Sequence, residues 1–135
     1  MRIQFVAGVT PIVPDAHVGI AFYRDALGLP LEGDGEYLSS DQLGGVRHLG
    51  VWPLSMAAHS CFGTYAWPDH LPVPQATMEF ELTTEAAVAE AAEELREQGH
   101  ELLHDAKKEP WGQTVARLQG PEGLLIGLSY TPWMH

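Results

Sequence analysis

The sequence predicts one α+β domain built from two similar strand–helix–strands units. Three observations carry this. A strand, a helix cap, a helix and a stopping glycine occur in that order twice, with the two glycines, Gly28 and Gly99, about seventy positions apart. Thr77–Leu82 alternates polar and apolar side chains, the period of a strand with one apolar face. Near the end, Gly120-Pro121-Glu122-Gly123 separates two strand-like runs, which is the composition of a hairpin turn.

Ile3–Val13 is rich in β-branched and apolar residues and predicts the first strand, loosened at its end by Pro11 and Pro14. Asp15 is placed to cap a helix over about Ala16–Leu27, with Ile20, Tyr23 and Leu27 on one face and Phe22 beside them. Gly28 stops it. Glu36–Ser40 and Val46–Trp52 read as strands, and Met56–Phe62 as a helical turn. A proline-rich connector, about 67–75, divides a first module, about 1–66, from a second, about 76–135. In the second, Thr83 or Thr84 caps a helix over about Glu85–Gln98, whose buried stripe is Val88, Ala91, Ala92 and Leu95. Strands follow at about Glu101–His104, Gln113–Leu118 and Leu124–Tyr130.

Eighteen acidic residues against seven basic ones leave a net charge of −11. Phosphate backbones and anionic membrane surfaces are held by clustered Lys and Arg. The chain has no such cluster, so neither nucleic acid nor a membrane is an expected partner. The acidity serves solubility and also favours a cationic ligand. Cys61 is the single cysteine, so no internal disulfide forms. That fits a reducing compartment. There is no secretory-peptide pattern and no run of ~18 apolar residues, so the expected location is the cytoplasm.

Phe22-Tyr23-Arg24-Asp25-Ala26-Leu27-Gly28-Leu29 resembles the helix-to-strand junction of the vicinal oxygen chelate superfamily. This group contains glyoxalase I, bleomycin-resistance proteins and extradiol dioxygenases. Pro110-Trp111-Gly112-Gln113 and Gly120-Pro121-Glu122-Gly123 resemble its late Trp-Gly and Asp-Pro-Asp-Gly elements, and the spacing of all three fits over essentially the whole chain. The resemblance implies two βαβββ modules forming a curled mixed sheet around a shared cleft, one helix per module on the outer face, and a homodimer.

The enzymes of that group hold a divalent cation with His, Gln and Glu from several strands. Carried over by position, three of those places fall on Gly8, Thr77 and Gly127, and the fourth, at the end of the first module, falls where the sequence departs from that group's pattern and is not assigned to a residue. Glycine offers no side-chain donor and threonine a poor one. The seven histidines do not repair the loss. His100 and His104 would stand ~13 Å apart on a strand, and only His48, in a strand, is placed to face the cleft. No phosphate-cradling, nucleophile-elbow or HExxH motif occurs. The expectation is therefore no metal and no cofactor.

The superfamily's resistance members hold a drug in the same cleft without metal, so the resemblance implies a metal-independent small-molecule binding protein. Its ligand would be an aromatic or cationic natural product, such as a sequestered antibiotic. The alternative is a metal-dependent or metal-free lyase, isomerase or dioxygenase. No catalytic residue is assigned. The expected ligand contacts are Trp52, Trp67 and Trp111 as aromatic walls, Thr77, Glu79 and Glu81 on one strand face, His48, and Arg117. Each has a structural counterpart: tryptophans fill cores, and strand carboxylates line solvated faces. Trp133 is expected at a dimer contact.

Overall fold

A computed structural model describes all 135 residues. The strands are β1 (Phe5–Val13), β2 (Leu38–Ser40), β3 (His48–Pro53), β4 (Ala76–Glu81), β5 (His104–Lys108), β6 (Thr114–Gln119) and β7 (Leu125–Tyr130). The α-helices are α1 (Ala16–Ile20), α2 (Leu54–Phe62) and α3 (Glu85–Glu97). The strands form one curled mixed sheet in the order β2-β3-β1-β4-β7-β6-β5.

The order is symmetric about the β1–β4 junction. Those two run antiparallel, and each has a parallel neighbour on its other side, β3 beside β1 and β7 beside β4. An antiparallel strand follows on both flanks, β2 and β6. Beyond it, β5 completes one side, whereas the other has only a single bridge, Glu32 to Ser39.

α3 packs Val88, Ala91 and Ala92 on Leu82, Ala116 and Leu128 of the outer face. Its cap is Thr84, whose Oγ1 accepts the Ala87 N–H at 3.1 Å. α1 begins at Asp15, whose carboxylate accepts the N–H groups of His17 and Val18. It does not run on to Leu27 as a single α-helix. From Ala21 to Ala26 the turn widens to a π-helix, and the Leu27 N–H reaches back five residues to the Phe22 carbonyl. Ile20 and Tyr23 of the expected apolar face pack on Leu31, Leu38 and Val51, and Ala16 and Gly19 are buried with them, but beyond the widened turn Leu27 ends 56% exposed.

α2 lies on the inner face. Ala57, Ala58 and Cys61 pack on Ile12, Trp52, Trp67 and Leu125 and fill one end of the trough. The other end stays open. No helix is long and apolar enough to cross a membrane.

Candidate functional site

The period of two in β4 and β7 decides which side chains face the trough. Phe80 and Leu82 join α3 in the outer core, so Thr77 and Glu79 point inward. Leu128 joins the outer core, so Leu125 and Gly127 point inward.

One row of register partners crosses the sheet: His48, Gly8, Glu79, Gly127, Arg117 and His104. Side chains and glycines alternate along its first five positions, from His48 to Arg117. Glu79 therefore stands between two residues with no side chain. The sequence expectation grouped Thr77 with Gly8 and Gly127. The register corrects it, because Thr77 pairs with Thr10 and Leu125 in a neighbouring row.

Over this row lies a cavity of about 330 Å³, at the lower end of the ligand-site range. Trp52, Trp111, Trp133, Tyr37 and Met56 give its walls, and Thr10, Thr77, Glu79, Gln113, His48 and Arg117 its polar groups.

Trp52 is buried and belongs to both the cavity wall and the α2 core. Trp111 sits at the tip of the β5–β6 hairpin. Its three-residue loop, Pro110-Trp111-Gly112, is closed by the Gly112 N–H on the Glu109 carbonyl, and Gly112 takes φ +98°. The indole N–H donates to Gln113 Oε1 at 2.9 Å, which leaves the amide NH₂ to donate to Glu79 Oε2 at 2.6 Å. One carboxylate oxygen is thus fixed, and Oε1 makes no hydrogen bond within the chain.

On the other side of Gly8, Tyr37 Oη lies 2.5 Å from His48 Nε2, and His48 Nδ1 lies 2.6 Å from Asp41 Oδ1. An ionised carboxylate only accepts, so Nδ1 carries a hydrogen and donates to Asp41. In the neutral ring Nε2 then accepts from the phenol. Burial first, and the nearby Glu79 charge second, push the Tyr37 phenol well above its usual pKa, so it stays protonated. Its ring lies over Gly50, where a Cβ would meet the phenol oxygen at 2.5 Å.

Arg117 is fully buried. Its Nη1 donates to Glu109 Oε1 at 2.8 Å and Ser60 Oγ at 2.9 Å, and its Cζ sits 5.4 Å from the Trp52 ring centroid. Burial alone would raise the Glu109 pKa. Hydrogen bonds from Ser60 and Arg117, with the charges of Arg117 and Lys107, more than offset it and hold the carboxyl below its usual value. The guanidinium charge is thus neutralised beneath the floor. Burial also pushes the Cys61 thiol up, against the opposing charges of Arg117 and Lys107. It has no activated thiolate.

Two expected contacts lie elsewhere. Trp67 is a core residue that donates its indole N–H to the Pro72 carbonyl at 2.9 Å and packs edge-on against Phe62. Glu81 shares the inner face with Glu79 but is fully buried. It accepts from Ser129 Oγ, Thr131 Oγ1 and the Thr131 N–H and lies 2.8 Å from His135 Nε2, which ties β4 to the C-terminal turn. Trp133, expected at a dimer contact, lines the cavity mouth. Tyr37 and Gln113 were not anticipated.

The family is now decided. A Glyoxalase/Bleomycin resistance protein/Dioxygenase superfamily model matches residues 6–128. The chain belongs to that superfamily. Solved structures of the same fold include a superfamily member from Vibrio splendidus, at 14% identity and TM-score 0.59, covering 96% of this chain and 100% of that one. Methylmalonyl-CoA epimerase of Streptomyces coelicolor, solved with 2-nitronate-propionyl-CoA, is 16% identical at TM-score 0.55, covering 97% and 96%. A Legionella pneumophila structure described as an NAD-dependent benzaldehyde dehydrogenase is 11% identical at TM-score 0.57, covering 91% and 96%. No functionally curated protein matches.

The divalent cation of the superfamily's enzymes does not fit the residues present. Gly8 and Gly127 supply no donor. Nowhere do three or more His, Cys, Asp or Glu side chains gather in a group that could hold a metal ion.

Proposed function

We propose that this protein holds a small aromatic molecule in its trough without a metal, through a cationic or hydrogen-bond-donating group on Glu79. The observation that carries this is the free Oε1 of a Gln113-anchored carboxylate in a cavity walled by Trp52, Trp111 and Trp133. Because Glu109 neutralises Arg117, Glu79 leaves the cavity with net negative character. A cation there meets both a carboxylate and indole faces, each favourable once water is displaced.

The volume of about 330 Å³ suits one or two fused rings. A large antibiotic would therefore insert only an aromatic part. Sequestration of such a compound is the cellular role this reading favours. A homodimer belongs to the same reading, since Met56, Trp111 and Trp133 leave apolar surface at the mouth. Titration of tryptophan fluorescence with mitomycin C, bleomycin and aminoanthraquinones tests the reading. Saturable quenching supports it, and a folded sample that responds to none opposes it.

A further inference from the structure

We infer that the ligand of this cavity is an aromatic zwitterion, such as an aromatic amino acid, whose carboxylate is held by Arg117 while Glu79 holds its amine. The inference rests on the cavity being a small-molecule site and narrows the class of its ligand.

Arg117 is fully buried and lines the cavity. Its Nη1 carries every polar contact that the guanidinium makes: Glu109 Oε1 at 2.8 Å, Ser60 Oγ at 2.9 Å and His104 Nε2 at 3.3 Å. Nε and Nη2 are buried and have no hydrogen-bond partner. The ion pair with Glu109 therefore balances the charge and leaves two donors unused. Unused donors on a buried charged group are costly, so they point to a ligand oxygen. Nε–H and Nη2–H leave a guanidinium from one edge in parallel. A carboxylate meets such a fork with both of its oxygens. Thr77 Oγ1 is a further buried and unpartnered polar atom of the same cavity wall.

The placement of the two charges sets the rest of the ligand. Glu79 and Arg117 both pair with Gly127, one on each side of β7. Two strand spacings put their backbones roughly 10 Å apart, with no side chain between them. They form no ion pair with each other, because Glu79 is held by Gln113 and Arg117 by Glu109. A ring carrying an ammonium at one end and a carboxylate at the other bridges them under the indole walls.

Because Arg117 is fully buried, a ligand oxygen reaches its free edge only when a wall side chain moves. Met56 is suited to that. It precedes Ser60, the partner of Arg117 Nη1, by one turn of α2, and it is 38% exposed. Its unbranched thioether changes rotamer easily.

The test is calorimetric titration with 4-(aminomethyl)benzoate, its methyl ester and benzylamine, which share the ring and the amine. The zwitterion should bind about tenfold or more tighter than the other two, the gain from charge-assisted hydrogen bonds at a buried edge. The net charge of −11 acts the other way and favours the two cations, so that advantage has to come from a local group. Arg117→Lys keeps a cation beside Glu109 and lacks the fork, and in it the zwitterion should lose its advantage. Arginine ¹⁵N labelling gives a second reading on the native chain, independent of whether the lysine variant folds. An arginine Nε–H resonance should move on adding the zwitterion and stay in place with benzylamine. Benzylamine binding with no advantage for the zwitterion overturns the inference and leaves the binding reading standing. So does an advantage that survives Arg117→Lys, or one that moves no arginine Nε–H. Failure of all three compounds to bind overturns the two together.

Discussion

Glu79 and Gly127 face each other across β4 and β7, and a methyl group on Gly127 would come within 3.0 Å of Glu79 Cγ. The glycine is what lets the carboxylate lie in the trough. Val115 Cγ2 closes the remaining side at 3.4 Å. Gly127→Ala should therefore swing Glu79 off Gln113 and weaken aromatic-amine binding, while far-ultraviolet circular dichroism stays native. Fluorescence titration reads the effect.

Glu79→Gln removes the charge and keeps the shape. A charge-assisted hydrogen bond contributes about 1.5–3 kcal/mol, so amine-bearing ligands should lose about tenfold or more in affinity. Neutral rings of the same size should lose little. Paired calorimetric titrations of an arylamine and its uncharged isostere separate the two.

The alternation in Thr77–Leu82 made the inward face of β4 legible in the sequence, because a strand's period of two assigns faces without tertiary information. It could not say where along the trough each inward residue falls. Glu79 and Glu81 read alike, yet Glu81 is roofed by Thr131 and His135 and serves the fold. Trp67 and Trp133 leave their expected places for the same reason. α2 and the Pro68–Pro72 turn close over Trp67, and the C-terminal turn carries Trp133 to the mouth. Tyr37 left no signal, since its seat depends on Gly50 of another strand. The π-helix was equally hidden, because a helical period assumes one uninterrupted turn.

Arg117→Met should destabilise the protein by about 3–5 kcal/mol, the cost of leaving a buried charge unpaired. The stranded group is Glu109, which keeps only Ser60 and the more distant Lys107. Adding Glu109→Gln should recover part of the loss. Urea denaturation of the single and double variants measures both.

Acid should weaken the fold before ordinary carboxylates titrate. Burial, with the Arg117 and Lys107 charges, lowers the His104 pKa from 6.5 to about 4, against a hydrogen bond to the Asp105 carbonyl. Between those values the unfolded chain binds the proton and the folded chain does not, so stability falls as pH falls from about 6.5 to about 4. Above that window His104 is neutral in both states and contributes no slope. Glu109, its pKa held low, adds a loss in the same direction at more acidic pH. His104→Gln should flatten the upper part of the profile, read as urea midpoints at several pH values.

Thr84→Ala removes the acceptor for the Ala87 N–H. The loss should be about 1 kcal/mol, with ligand affinity unchanged, since α3 lies on the outer face. Thermal unfolding and fluorescence titration together check this.

The central claim is a metal-independent aromatic site built on Glu79. Calorimetric titration of an arylamine into protein stripped with EDTA, repeated with added Ni²⁺, Zn²⁺ and Mn²⁺ and repeated with Glu79→Gln, tests it most directly. The account predicts one binding event per chain, unchanged by the metals and strongly weakened in the variant. Binding that appears only with a divalent cation, or that survives Glu79→Gln intact, would contradict it.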